Sequence, residues 1–294
     1  MSCRGSAWRS VLPRCVETMA RRRRRAGGTD AARAYHDRVA GRYDHIYSGP
    51  YWQVYERLSW EGMRRWVPDD LGAEVADLGC GTGLYGLKLL KSGFRVTFVD
   101  LSPRMLEQAR RKAAELPGGA FERACFVQAD IADLAPLASD RFALLVAQGD
   151  PISHAGPRAH DALRACHRVL APGGVLVASV DNALAAYRHF VERGDPEALA
   201  RFLRDGATEW LARDRAERFP LQMFTPDTLR RALEAAGFEV LDLFGKTVLP
   251  LRSHAEQLEE PSARRRWIAL EQRLCREPHL LGGAAHLQVA ARKR

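Results

Sequence analysis

From Glu74 onward the chain alternates short apolar runs with amphipathic stretches. Glu74–Leu78, Arg95–Asp100, Cys125–Ile131, Phe142–Ala147, Val175–Val180 and Phe238–Phe244 are brief and rich in β-branched or aromatic residues, which predicts strands. Phe142–Ala147 carries almost no polar residue, as a strand covered on both faces requires. Between these runs the apolar positions move to helical spacing: Leu84, Leu87 and Leu90; Met105, Leu106, Ala109 and Ala113; Leu229, Ala232, Leu233 and Ala236. Ser102-Pro103 and Thr225-Pro226 read as helix starts, Gly93 and Gly237 as stops. Ala285–Ala291 predicts a last, antiparallel strand. The expected fold is therefore α/β, a doubly wound and mostly parallel seven-stranded sheet.

Two segments depart from that rhythm. Thr29–Trp66 reads as helical and unusually aromatic, with Tyr35, Tyr43, Tyr47, Tyr51, Trp52, Tyr55, Trp60 and Trp66. Residues 183–224 interrupt the core with helical patterns carrying Phe190, Phe202, Trp210 and Met223, too apolar for a solvated linker. They would lie over the carboxyl ends of the strands, and so read as a helical lid. The expected organisation is a disordered basic tail at 1–28, a helical leader at 29–70, the core at 71–182, the lid at 183–224, and the rest of the core at 225–294. Residues 254–276 predict one charged amphipathic helix.

The net charge of +9 over 294 residues points first to nucleic acid. Its distribution removes that reading for the fold. Residues 1–25 hold eight arginines against Glu17, so the remaining chain is nearly neutral. A broad phosphate-binding face is not expected, although an arginine-rich anchor for RNA stays open. That head lacks the apolar region of a secretory signal, and no apolar run is long enough to span a membrane. Six scattered cysteines without C-x-x-C pairs suit a reduced, cytoplasmic protein. Neither they nor His160 and His167 have metal-ligand spacing, so no metal is expected.

The chemistry concentrates at Val75–Gly86, a strand that breaks into Gly79, Gly81 and Gly83 before a helix resumes. Gly81, Gly83 and Gly86 also satisfy G-x-G-x-x-G, which would suit a nicotinamide-dependent oxidoreductase. The glycines instead alternate from Asp77 as D-x-G-x-G-x-G. The acid of the next strand, Asp100, arrives 14 residues after Gly86, earlier than that fingerprint expects. The pattern resembles motif I of class I S-adenosylmethionine (SAM)-dependent methyltransferases. The stretch Arg168–Ser179, with its Pro172-Gly173-Gly174 turn, closely resembles the corresponding turn and strand of that family.

The resemblance implies a cofactor site of Tyr43, Asp77, Gly79, Cys80, Gly81, Thr82, Gly83, Asp100, Leu101, Met105, Asp130, Ile131 and Gln148. Asp100 would hold the ribose, Asp130 the adenine amine with Ile131 beside it, and Tyr43 would lie against the cofactor, whose product is S-adenosylhomocysteine. Gln148–His154 leaves the fourth strand where open α/β sheets bind ligands. It offers Asp150 and His154 as bases for an alcohol or amine acceptor, although Asp-Pro also simply favours a turn. Gly149-Asp150-Pro151-Ile152 lacks the second proline and aromatic of the family's base and glutamine methylators. Trp52 and Trp210 would wall an acceptor pocket. The expected activity is methyl transfer by in-line displacement to O, N or S of a small molecule, by a monomer or homodimer. An RNA methyltransferase and a non-catalytic SAM-binding regulator remain as alternatives.

Overall fold

In the computed structural model, residues 27–210 and 217–294 are described, so the expectation of a disordered 1–25 tail lies outside them. Five parallel strands form the first half of the sheet: β1 (Glu74–Leu78), β2 (Arg95–Asp100), β3 (Ala124–Gln128), β4 (Phe142–Ala147) and β5 (Leu170–Asp181). A small hairpin, β6 (Ala207–Glu209) with β7 (Pro220–Gln222), stands apart. β8 (Phe238–Lys246) and β9 (His286–Lys293) complete seven strands in the order β3-β2-β1-β4-β5-β9-β8, with β9 antiparallel to both neighbours.

The apolar runs are explained by two-sided burial. In β4, Leu144 and Val146 join the core on one face of the sheet, Leu145 and Ala147 that on the other. The covering helices are α1 (Gly27–Val39), α2 (Tyr43–Ile46) and α3 (Pro50–Arg64) in the leader, then α4 (Leu84–Lys91) and α5 (Pro103–Ala114). They are followed by α6 (Pro151–His154), α7 (Ala159–Val169), α8 (Ala183–Glu192), α9 (Pro196–Asp205), α10 (Pro226–Ala235), α11 (Ala255–Glu259) and α12 (Pro261–Leu274). Ser102 caps α5 by accepting from the Met105 amide, and its hydroxyl donates to Asp37 of the leader at 2.6 Å. One residue thus starts a core helix and ties the leader to it.

Four local expectations change. The leader is three helices, because Gly41 and the Gly49-Pro50 step interrupt it. β3 ends at Gln128, so Asp130 stands beyond the strand in a short bridge with Asp133. The 183–224 insertion includes the β6–β7 hairpin as well as α8 and α9. Pro261 divides the C-terminal helix, with Glu260 accepting from the Ser262 and Ala263 amides to start α12.

Candidate functional site

Strand order reverses between β1 and β4, where loops leave the carboxyl ends in opposite directions and open a crevice. The β1 loop forms one side. Gly79 (φ +62°), Gly81 (φ +54°) and Gly83 (φ +93°) take left-handed conformations that a side chain would strain. At Gly79 a Cβ would also overlap the Pro151 ring of the opposite loop. Gly83 occupies the cap of α4 and has no side chain to offer, so Asp77 does the capping. Its Oδ2 accepts from the Gly86 amide at 2.7 Å, and burial pushes its carboxyl up to about 7.

Asp100, at the end of β2, accepts from the Ser102 amide through Oδ1 and from the Gly81 amide through Oδ2, both at 2.8 Å. An ionised carboxylate has further lone pairs, which leaves it able to receive a vicinal diol. Burial raises its pKa, with His36 acting against that shift. Asp130 accepts from the Ala132 amide (2.8 Å) and from Arg158 Nη1 (2.6 Å).

One cavity runs from Asp130 and Ile131 past Asp100, Leu101, Gly79, Gly81 and Tyr43 to Gln148, Pro151 and His154. Thr29, Ala32 and His36 of α1 cover it. Of the predicted cofactor residues, Asp77, Cys80, Thr82, Gly83 and Met105 do not line it. Asp77 and Gly83 shape the loop. Thr82 donates to Asp44 of α2 at 2.6 Å, and Met105 packs on Val39 and Ala40, so both hold the leader down. Cys80 anchors the loop backbone through its amide to Val99 O.

The β4 loop forms the other side. Ser179 Oγ accepts from the Gly149 and Asp150 amides at 3.0 and 3.1 Å, holding Asp150 in a left-handed turn (φ +67°). Its carboxylate turns away from its own helix toward β9, where His286 Nδ1 lies 2.8 Å from Oδ2. The Tyr55 hydroxyl donates to the same oxygen at 3.4 Å. Burial alone would raise the Asp150 carboxyl. The adjacent His286 outweighs it, with help from Lys246, and holds it well below the usual carboxylate range. His154 lies on the cavity wall against His36, Trp210 and Phe219, and burial lowers it to about 3, so it is neutral near pH 7.

Behind Asp150 lies a buried polar group that the linear sequence does not reveal. Antiparallel register pairs Asp181 of β5 and Lys246 of β8 with the same residue, His286 of β9. Lys246 is fully buried and donates to Tyr55 Oη (2.7 Å), Ser59 Oγ (3.1 Å) and Gln148 Oε1 (3.3 Å). Burial lowers it to about 7. Asp181 is pushed up to about 7 by burial and by Asp150 beside it. A continuous series of ring contacts, Tyr43–Tyr47–Trp52–Tyr55–His286, links the cofactor end of the cavity to this group. Neither Trp52 nor Trp210, expected as pocket walls, lines this cavity: Trp52 reaches the β4 loop through Tyr55, and Trp210 reaches it from the other side through His154.

Residues 75–174 match a family described as a methyltransferase domain. A ubiquinone biosynthesis O-methyltransferase of Methylobacterium sp. (strain 4-46) is 29% identical over 180 residues, which are 61% of this chain and 65% of that protein. One from Xanthomonas campestris pv. campestris (strain B100) is 28% identical over 68% of this chain and 75% of its own length. The chain also resembles the SAM-dependent methyltransferase structure from Mesorhizobium loti, with a TM-score of 0.53 at 22% identity over 80% of this chain and 97% of that one. This likeness speaks for the fold. The domain match spans the glycine loop, Asp100, Asp130 and the Pro172-Gly173-Gly174 turn, so residues 75–174 are a methyltransferase domain of the SAM-dependent kind, set in the fold of that class.

Proposed function

We propose that this chain transfers the methyl group of SAM to a hydroxyl oxygen of a small molecule held beside the Gln148–His154 loop. The carrying observation is that one cavity joins Asp130 and Asp100 to Gln148, Gly149, Pro151 and His154 of that loop, with the ionised Asp150 directly behind them and turned toward His286. On this reading Asp130 and the Ile131 backbone hold adenine, Asp100 the ribose hydroxyls, and Tyr43 lies by the sulfonium. An aromatic face favours a cation. Asp150 orients the acceptor hydroxyl or takes its proton, and His154, neutral and enclosed, shapes the wall. Displacement at the methyl carbon needs alignment more than chemistry, so enclosure and orientation supply most of the rate. The O-methyltransferase names of the curated relatives support oxygen as the accepting atom. The near-neutral fold supports a small acceptor over nucleic acid, and the cysteine pattern supports a cytoplasmic setting. Among the described residues no helix is long and apolar enough to cross a membrane.

The test is incubation with methyl-labelled SAM and a panel of hydroxylated small molecules, with structured RNA as a parallel acceptor. Label should enter a small hydroxylated compound. Asp150→Asn should lower kcat at least tenfold while leaving SAM affinity within a few-fold. Label confined to RNA, or to amines, overturns the proposal.

A further inference from the structure

We infer that Asp150, Asp181 and His286 form a binding site for a divalent transition-metal ion, with Mn²⁺ as the fitting probe. Each residue offers one ligand atom, and the three atoms lie within 4.8 Å of one another. His286 Nδ1 is 2.8 Å from Asp150 Oδ2 and 3.7 Å from Asp181 Oδ1. Donors about 2.1 Å from a common ion stand about 3 Å apart at right angles and about 4 Å apart across it. The two separations from His286 Nδ1 come close to that range.

Hydrogen bonding makes the stronger case. Asp150 is 5% exposed and Asp181 7%, a depth at which a carboxylate oxygen without a partner is costly. Yet Asp150 Oδ1, Asp181 Oδ2 and His286 Nδ1 all lack a hydrogen-bond partner among the described residues. The His286 nitrogen is close to Asp150 but out of line for a good N–H···O bond. Only six buried side-chain polar atoms of the described residues are orphaned in this way, and half of them meet here. The nearby ammonium does not resolve this. Lys246 spends its three donors on the neutral oxygens of Tyr55, Ser59 and Gln148, and forms no ion pair within 4 Å of either carboxylate. The close oxygens are Asp150 Oδ2 and Asp181 Oδ1 and the orphaned ones their geminal partners, so a dication between the three side chains would take up the His286 nitrogen and neutralise both carboxylates.

Two carboxylates with one imidazole suit Mn²⁺ or a neighbouring first-row ion better than Ca²⁺ or Mg²⁺, which favour all-oxygen sets. The sequence hides such a site because its ligands come from the β4 loop, the end of β5 and the start of β9. No local spacing marks them. The consequence for catalysis rests on the O-methylation reading. An ion at this point would lie behind the Gln148–His154 loop, where it would fix the Asp150 carboxylate and add positive charge close to an acceptor held by that loop.

The binding itself is tested without turnover. Chelator-stripped full-length protein is titrated with Mn²⁺ alone, following free Mn²⁺ by electron paramagnetic resonance and thermal melting in parallel. One Mn²⁺ per chain and a raised Tm are expected. Asp181→Asn and His286→Gln should each weaken uptake at least tenfold and abolish the Tm shift. Calorimetry with SAM checks that each variant keeps its fold, and if one does not, the other with the wild type decides. No uptake by wild type, or equal uptake by a folded variant, overturns the metal site. Absent SAM binding would instead overturn the cofactor reading, so the two failures are distinct.

Discussion

Asp100 and Asp150 are both buried carboxylates at strand ends, yet their surroundings push them in opposite directions. Burial raises Asp100, whereas His286 more than offsets burial at Asp150. Asp100 uses two backbone amides to stay in place and faces the cavity, so its loss should act on cofactor affinity. Asp100→Ala is expected to weaken SAM binding by about 2–4 kcal/mol, the range for charge-assisted bonds, as measured by calorimetry. Lys246 supplies a pH signature. Its folded pKa of about 7 lies below the unfolded value, so between roughly pH 7 and pH 10 the unfolded chain binds one more proton than the folded one. Lys246 should therefore make stability rise with pH by at most about 1.4 kcal/mol per unit, read between about pH 7 and pH 8, below the range where the thiols of Cys80, Cys166 and Cys275, raised by burial, would oppose it. Denaturant unfolding with chelator present should show that rise in the wild type, and Lys246→Met should flatten it. An identical pH slope in both proteins would show that Lys246 is not the group responsible. At this scale the sequence marks Asp100, Asp130 and Asp150 as candidates because each lies at or just beyond the end of an apolar strand. It does not mark Tyr55, Asp181, Lys246 or His286, because β5–β9 and β8–β9 register and the packing of α3 on the sheet bring together residues some 40 to 230 positions apart in the chain.

Among the elements, the β1–α4 junction sets the cofactor loop, and its tolerance is narrow. Gly86 lies inside α4, where propensity alone would favour Ala by about 1 kcal/mol. A Cβ there would run into the Phe98 ring and crowd Asp77 Oδ2, an overpacking that costs about 1–3 kcal/mol. Gly86→Ala should thus destabilise the protein in thermal melts despite its better helix propensity. Asp77→Ala orphans the buried Gly86 amide and should cost about 1–3 kcal/mol, while Asp77→Asn keeps an acceptor and should cost less. Equal losses for Ala and Asn would mean that charge, and not the capping acceptor, matters. The sequence carried this junction well, since glycine spacing and apolar period are local. It carried the leader and insertion poorly. The leader read as helical without its breaks, and Gly41 and Pro50 divide it into three helices. The β6–β7 pairing has only three residues on each strand, too few for a period to register.

Across the whole molecule, the leader and the insertion meet over the cavity. Ala32 and Tyr35 of α1 pack with Trp210, Phe219 and Leu221 around the hairpin, and His36 and His154 touch Phe219 from the cavity side. Ser102–Asp37 and Thr82–Asp44 tie the leader to the core from below. Closure by these two segments would exclude water and hold an acceptor in line with the methyl group. The alternative is that the rings only pack the insertion in place. Trp210 separates the two, because it stacks on Phe219 at 5.9 Å and touches both Tyr35 and His154. Trp210→Ala loses ring contacts worth about 0.5–1.5 kcal/mol each, so the fold should survive while the cover loosens. Hydrogen exchange should then show SAM protecting residues 27–39 in the wild type and less so in the variant. SAM affinity should fall a few-fold and methyl transfer considerably more. Unchanged leader protection together with unchanged turnover would mean that the hairpin and leader are packing alone, and that the acceptor is enclosed from the Trp52 side, where Tyr55 reaches Asp150.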